Sequence, residues 1–144
     1  EYNCRFGDPE TQPIMLRMKS DLVAHCLAAL DGRLDRETVA WDPRPSVGVV
    51  LAARGYPGNY PKGDVISGLP RQEEEGRKVF HAGTAERDSQ VVTAGGRVLC
   101  ATALGETVAE AQAAAYRLAE QISWDGMFYR HDIGYRAIAR EQQS

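Results

Sequence analysis

The residues best suited to chemistry stand together at the start of the chain, Glu1-Tyr2-Asn3-Cys4-Arg5-Phe6-Gly7-Asp8-Pro9-Glu10. Side chains alternate between faces along an extended strand, so Glu1, Asn3 and Arg5 are expected on one face while Tyr2, Cys4 and Phe6 pack into the other. A carboxylate and an amide oxygen two residues apart make a hard, all-oxygen pair suited to Mg²⁺, an ion that takes few protein ligands and completes its shell with phosphates. Arg5, next on that face, would serve as an anion clamp. Asp8 and Glu10 add two carboxylates where the strand runs into a turn, a common place for site residues. The competing interpretation is an edge strand with a solvated polar face followed by an Asp-Pro turn. Glu-x-Asn is short and common, so its spacing alone does not fix a metal site.

Three further places carry suitable groups. Gly95-Gly96-Arg97 combines glycines, which allow close backbone approach, with a fork of donors for a phosphate. A plain hairpin with an exposed arginine explains the same residues equally well. His81, before Ala82-Gly83-Thr84, suits substrate binding or proton transfer, but a hydrogen-bonded structural histidine is the favoured reading. The loop from Gly55 to Gly63 is rich in Gly and Pro, and Tyr56 and Tyr60 are placed to pack it down; a lid or domain contact is the alternative, but turn geometry is sufficient explanation. His131 and the Glu73-Glu74-Glu75 run read as solvated surface.

These residues need elements to hold them. Met15, Met18, Leu22, Cys26 and Ala29 recur at helical spacing after Pro13, which predicts one helix ending at Gly32, with His25 on or near its apolar stripe as a structural residue. Residues 33–46 are charged and proline-bearing, with Trp41 as the one large anchor, and mark the expected domain boundary. Beyond them come short strands. Val47–Ala53 reads as a strand buried on both faces, followed by strand candidates at Val65–Ser67, Lys78–Ala82 and Gln90–Thr93. Arg97–Ala103 follows the Gly95-Gly96 pair and is expected to form a hairpin with the strand before it. Thr107 and Glu110 form a capping box for an amphipathic helix over about residues 107–123, with Val108, Ala111, Ala115, Leu118 and Ile122 on one face. The expected class is α+β, an antiparallel sheet covered by one or two helices.

Composition sets limits. A chain of 144 residues with 43% hydrophobic content suits one domain, or one domain plus the tail of another. A net charge of −3 gives no general reason to bind nucleic acid or an anionic membrane. No apolar run reaches membrane-spanning length, and neither a signal peptide nor a low-complexity tract is visible. Cys4, Cys26 and Cys100 are odd in number, widely spaced and set among apolar residues, so they are expected to be reduced core thiols of a cytoplasmic protein.

The string EYNCRFGDPETQPIML resembles the end of the ATP-grasp domain in the glycinamide ribonucleotide synthetase (phosphoribosylamine–glycine ligase) family. Five further groups of residues continue the resemblance in order. They are Val47–Ala53 with Gly55-Tyr56-Pro57-Gly58, Lys78–Thr84, Val91–Leu99, Thr102–Gly105 and Asp132–Ala137. The resemblance implies that residues 1–40 are the tail of an ATP-grasp domain and 41–144 a C-terminal α+β domain. It implies ATP-dependent joining of glycine to 5-phosphoribosylamine through a glycyl phosphate. By the same resemblance Glu1 and Asn3 match metal-ligand positions for Mg²⁺ or Mn²⁺. Arg5 would neutralise the transferring phosphoryl or the glycine carboxylate. Asp8, ahead of Glu10, would receive the substrate amine, and Arg97 would bind a ribose phosphate, as a Gly-Arg strand start does in related purine-synthesis enzymes. Gly7-Asp8-Pro9-Glu10 fits the glycine ligase better than a carboxylase relative. The chain starts with Glu inside a motif and shows no Gly-rich phosphate loop. It is therefore expected to be the C-terminal piece of a larger ligase, inactive alone and needing the N-terminal portion as its partner. The alternative is a non-catalytic scaffold or assembly module derived from such a ligase.

Overall fold

The computed structural model describes residues 4–72 and 74–143. Glu1 and Asn3, and the Tyr2 expected to pack behind them, lie outside the described residues. The rest of the expected first strand is not extended: Cys4 adopts a left-handed backbone with φ 55°, and Cys4–Phe6 belong to no strand. Cys4 and Phe6 are exposed, contrary to the inward face expected for them.

The single expected helix is two. Helix α1 spans Thr11–Arg17 and carries Pro13 in its first turn, where a missing N–H costs nothing. The chain then extends at Met18, which bridges to Trp41, while Lys19 N–H donates to the Ala40 carbonyl at 2.9 Å. Helix α2, Leu22–Leu30, starts anew because Asp21 accepts a cap from the Val23 N–H at 2.8 Å. The apolar stripe runs through this break and masks the cap signal. At the other end Gly32 is left-handed (φ 66°), with Gly32 N–H donating to Ala29 O and Arg33 N–H to Ala28 O. These bonds are the Schellman pattern that the glycine predicted. His25 is buried and shares a 2.8 Å hydrogen bond with Ser20 Oγ, the structural role expected for it.

The core is an antiparallel sheet of β1 (Ser46–Ala52), β2 (Arg77–His81) and β5 (Arg97–Leu104), ordered β1-β5-β2. A separate ribbon pairs β3 (Thr84–Arg87) with β4 (Gln90–Thr93). The hairpin expected across Gly95-Gly96 does not form; β4 pairs with β3, while β5 lies between β1 and β2. The glycines let two backbones touch. Ala94 and Gly95 N–H both donate to Gly83 O, and a Cβ on Gly83 would lie 2.7 Å from Gly95 Cα. Val65 and Ser67 make isolated bridges to Val92 and Ser123.

Alternation along the central strands feeds two helical layers. Val47, Val49 and Leu51 of β1 stand opposite Ala103, Ala101 and Leu99 of β5. All six belong to the core beneath helix α3 (Val108–Ala119), with its Ala111, Ala115 and Leu118. The other face, with Gly48 and Cys100, meets α1, whose Pro13 Cγ would lie 3.1 Å from a Cβ on Gly48. The Thr107 cap is as expected: its Oγ1 accepts from Glu110 N–H at 3.1 Å, and Glu110 reaches back to Glu106 N–H. Helix α3 stops before 123 because Ser123 turns away to pair with Ser67. Helix α4, Tyr135–Glu141, closes the chain. None of the described helices is long and apolar enough to cross a membrane.

The boundary segment 33–46 is pinned rather than loose. Asp42 is 3% exposed. It accepts two bonds from the Arg44 guanidinium at 2.9 and 2.8 Å and meets Lys19 Nζ at 3.2 Å. Arg17 donates to its carbonyl.

Candidate functional site

Arg97 opens β5 at the end of the sheet where three parts of the sequence converge. Its Nε donates to Asp8 Oδ2 at 2.9 Å and its Nη1 to the Tyr56 hydroxyl at 2.6 Å. Asp8 lies 89 residues away, in the turn ahead of α1, and Tyr56 lies in the turn after β1. The fold thus joins two of the residues picked out from sequence, Asp8 and Arg97.

Each partner is held locally. The other Asp8 oxygen accepts from Gln12 Nε2 at 3.2 Å, so one turn of α1 fixes the carboxylate. Thr11 Oγ1 donates to the Gly7 carbonyl and tightens the same turn. Tyr56 is seated against Gly96. A Cβ there would fall 2.8 Å from Tyr56 Cε2 and 2.9 Å from Tyr60 Cε1, so the bare glycine makes the socket for both rings. The side chains of Arg97 and Asp8 are 40% and 44% exposed. A pair this open contributes about 0.2–1 kcal/mol to stability, so its consequence is chiefly geometric. A guanidinium offers five N–H donors. Two nitrogens are engaged here, and among the described residues Nη2 has no partner, which leaves a donor edge for an anion.

The other candidates lie apart. Arg5 donates to the neighbouring Phe6 carbonyl at 3.0 Å and is exposed. Glu10 occupies the N-cap of α1 without capping it, and its carboxylate folds over Gly7. His81 Nδ1 shares a 3.0 Å hydrogen bond with Thr84 Oγ1, which joins the end of β2 to β3. No group of three or more His, Cys, Asp or Glu able to hold a metal exists among the described residues. Of the three thiols only Cys100 is in the core; Cys4 and Cys26 are exposed, against expectation. Burial pushes the Cys100 thiol up to about 11, opposed by its bond to Thr102 and aided by the negative charge of Asp8. The sequence expectation for Tyr56 is that it packs its loop. The glycine that seats it was legible, but the 41-residue separation from Arg97 hid the hydrogen bond.

Fold and site define a small α+β domain with an anchored arginine at the start of its central strand. Residues 46–136 match the family model described as "Phosphoribosylglycinamide synthetase, C domain", and the chain belongs to that family. A Vibrio parahaemolyticus protein named phosphoribosylamine–glycine ligase is 72% identical over 143 residues, 99% of this chain and 33% of the relative. A Pseudomonas aeruginosa protein of the same name is 67% identical over 142 residues, again 33% of its length. The crystal structure of the Thermotoga maritima phosphoribosylamine–glycine ligase superposes with TM-score 0.71 at 40% identity, covering 92% of this chain and 32% of that one. The chain therefore spans about a third of the relatives it matches.

Proposed function

We propose that this chain supplies part of the site of an ATP-dependent ligase that joins glycine to 5-phosphoribosylamine in the cytoplasm, during purine biosynthesis. The observation that carries this reading is the 72% identity, over nearly the whole chain, to a protein named phosphoribosylamine–glycine ligase. In the reaction the glycine carboxylate attacks the γ-phosphorus of ATP, giving glycyl phosphate and ADP. The amine of 5-phosphoribosylamine then attacks the acyl carbon and expels inorganic phosphate. Several anions must be held together, so positioning and charge neutralisation are the main demands.

Arg97 answers one of these demands by presenting its donor edge to the ribose phosphate. Asp8 has lone pairs beyond the two already used and is assigned to the incoming amine. Glu10, two residues on, is assigned as a second carboxylate for that amine. Arg5, exposed, is assigned to the transferring phosphoryl or the glycine carboxylate. Mg²⁺ or Mn²⁺, assigned to Glu1 and Asn3, would neutralise phosphate charge when bound.

The site needs a partner. Helix α2 leaves Val23 64%, Leu27 56% and Leu30 84% exposed. Such an apolar face fits residues 1–40 as the tail of an ATP-grasp body supplied by the other two thirds of the relatives' length. Alone, the chain is expected to be inactive. The test mixes it with the two thirds of the Vibrio parahaemolyticus relative that it does not match. Phosphate release that requires glycine, ATP and 5-phosphoribosylamine is expected only in the mixture. Activity restored by the relative's own matching third, but not by this chain, would overturn the reading.

A further inference from the structure

We propose that Tyr56 is the positioning residue for Arg97, turning its guanidinium so that the Nη2 edge receives a phosphomonoester. This rests on the ligase reading and deepens it, since that reading leaves Arg97 without a means of orientation. An arginine at a strand end, 40% exposed, has many rotamers open to it. Here two bonds at different nitrogens remove that freedom. Asp8 takes Nε from one side and the Tyr56 hydroxyl takes Nη1 from another, at 2.9 and 2.6 Å. The guanidinium is planar, so two fixed nitrogens fix the plane and the direction of the third.

The two anchors differ in kind. Asp8 is a charge, and any anion reaching Arg97 must compete with it. Tyr56 is neutral, and orients Arg97 without cancelling the charge that a phosphate needs. Its ring is in turn seated against Gly96, the residue before Arg97, so the orienting group and the oriented group share one stretch of backbone. The guanidinium carbon lies 5.6 Å from the centre of the Tyr56 ring, within range of an additional cation–π attraction. Tyr56 touches no reacting atom in this arrangement; it acts through Arg97.

The test is a titration of this chain with ribose 5-phosphate, followed by NMR of the arginine Nε–H groups, in wild type, Tyr56→Phe and Arg97→Ala. Tyr56→Phe keeps the ring in its seat and removes only the hydroxyl. The Arg97 signal, assigned by its loss in Arg97→Ala, is expected to shift on titration. Tyr56→Phe is expected to displace that signal before any ligand is added and to weaken binding about tenfold, with the melting temperature lowered by no more than about 5 °C. Unmoved Arg97 resonance and unchanged affinity in Tyr56→Phe would overturn the inference and leave the ligase reading standing. No response to ribose 5-phosphate in wild type, with the Arg97 signal still moved by Tyr56→Phe, would overturn the phosphate role itself. Unphosphorylated ribose, run in parallel, is expected to bind none of the three.

Discussion

Gly96→Ala perturbs the site at its seat rather than at its chemistry. Gly96 is not in the left-handed region, so the cost of a methyl there is steric and not conformational. The new Cβ would lie 2.8 Å from Tyr56 Cε2 and 2.9 Å from Tyr60 Cε1, well inside van der Waals contact. Tyr56 sits in a surface turn and can swing away, whereas Tyr60 packs against the core and yields less. Overpacking of this kind costs about 1–3 kcal/mol. When Tyr56 swings, the 2.6 Å bond to Arg97 is lost, adding about 0.5–1.5 kcal/mol. For a chain of this size the melting temperature is expected to fall by about 5–15 °C. The decisive assay is a double-mutant cycle in urea with Tyr56→Leu, which shortens the displaced side chain. If Gly96→Ala acts through Tyr56, the pair should be less destabilised than the sum of the singles by about 1 kcal/mol or more. Strict additivity would refute the seat, and would place the cost of the methyl on Tyr60 or elsewhere.

Three further outcomes follow from the same structure. Thr107→Ala removes the acceptor for Glu110 N–H and should lower stability by about 1 kcal/mol, read as a shift of the urea midpoint at unchanged slope. The Asp42 carboxyl is held well below the usual carboxylate range, chiefly by its bonds to Arg44, against the opposing effect of burial. A depressed folded value means that this stabilisation is complete above about pH 4 and is lost as pH falls below it, so between pH 5 and 2.5 wild type should lose more stability than Asp42→Asn. In the native chain a thiol reagent should modify Cys4 and Cys26 quickly and Cys100 only after unfolding. A Cys26 that reacts only after unfolding would contradict the exposure of α2.

Elements with one strongly buried face were legible in the sequence. The strand from Arg97 and the Thr107 capping box state their own environment, because burial and capping are local demands; the apolar run at Val47–Ala53 marked a strand, but its burial alternates where both faces were expected to be buried. Errors arose where one local signal served two geometries. Gly95-Gly96 satisfies a tight turn and a backbone crossing equally well, and only the pairing of β5 with both β1 and β2 decides between them. The apolar stripe from Met15 to Ala29 is continuous, yet the chain extends at Met18 to end one helix and Asp21 caps the next. Apolar neighbours suggest a core place for Cys26, but on α2 Val23, Leu27 and Leu30 face outward with it. The site was half legible. Residue types marked Asp8 and Arg97, but nothing local could say that they touch, or that Tyr56 completes the contact.

The placement of Asp8 bears on how the domain should be bounded. The family match covers residues 46–136, which contains Arg97, Tyr56 and Gly96 but not Asp8. Asp8 reaches the sheet because α1 packs across the face that carries Gly48 and Cys100. The segment joining α1 to β1 is secured by Asp42, Arg44, Lys19 and Arg17. A division near residue 40 therefore separates two compositions but runs through one site. A chain trimmed to the family-matched span would keep the arginine and its tyrosine while losing the carboxylate that fixes Nε. Arg97 would then be held at one nitrogen, free to turn about the remaining bond. The proposed anion site is thus a property of the docked α1 segment as much as of the sheet on which the arginine stands.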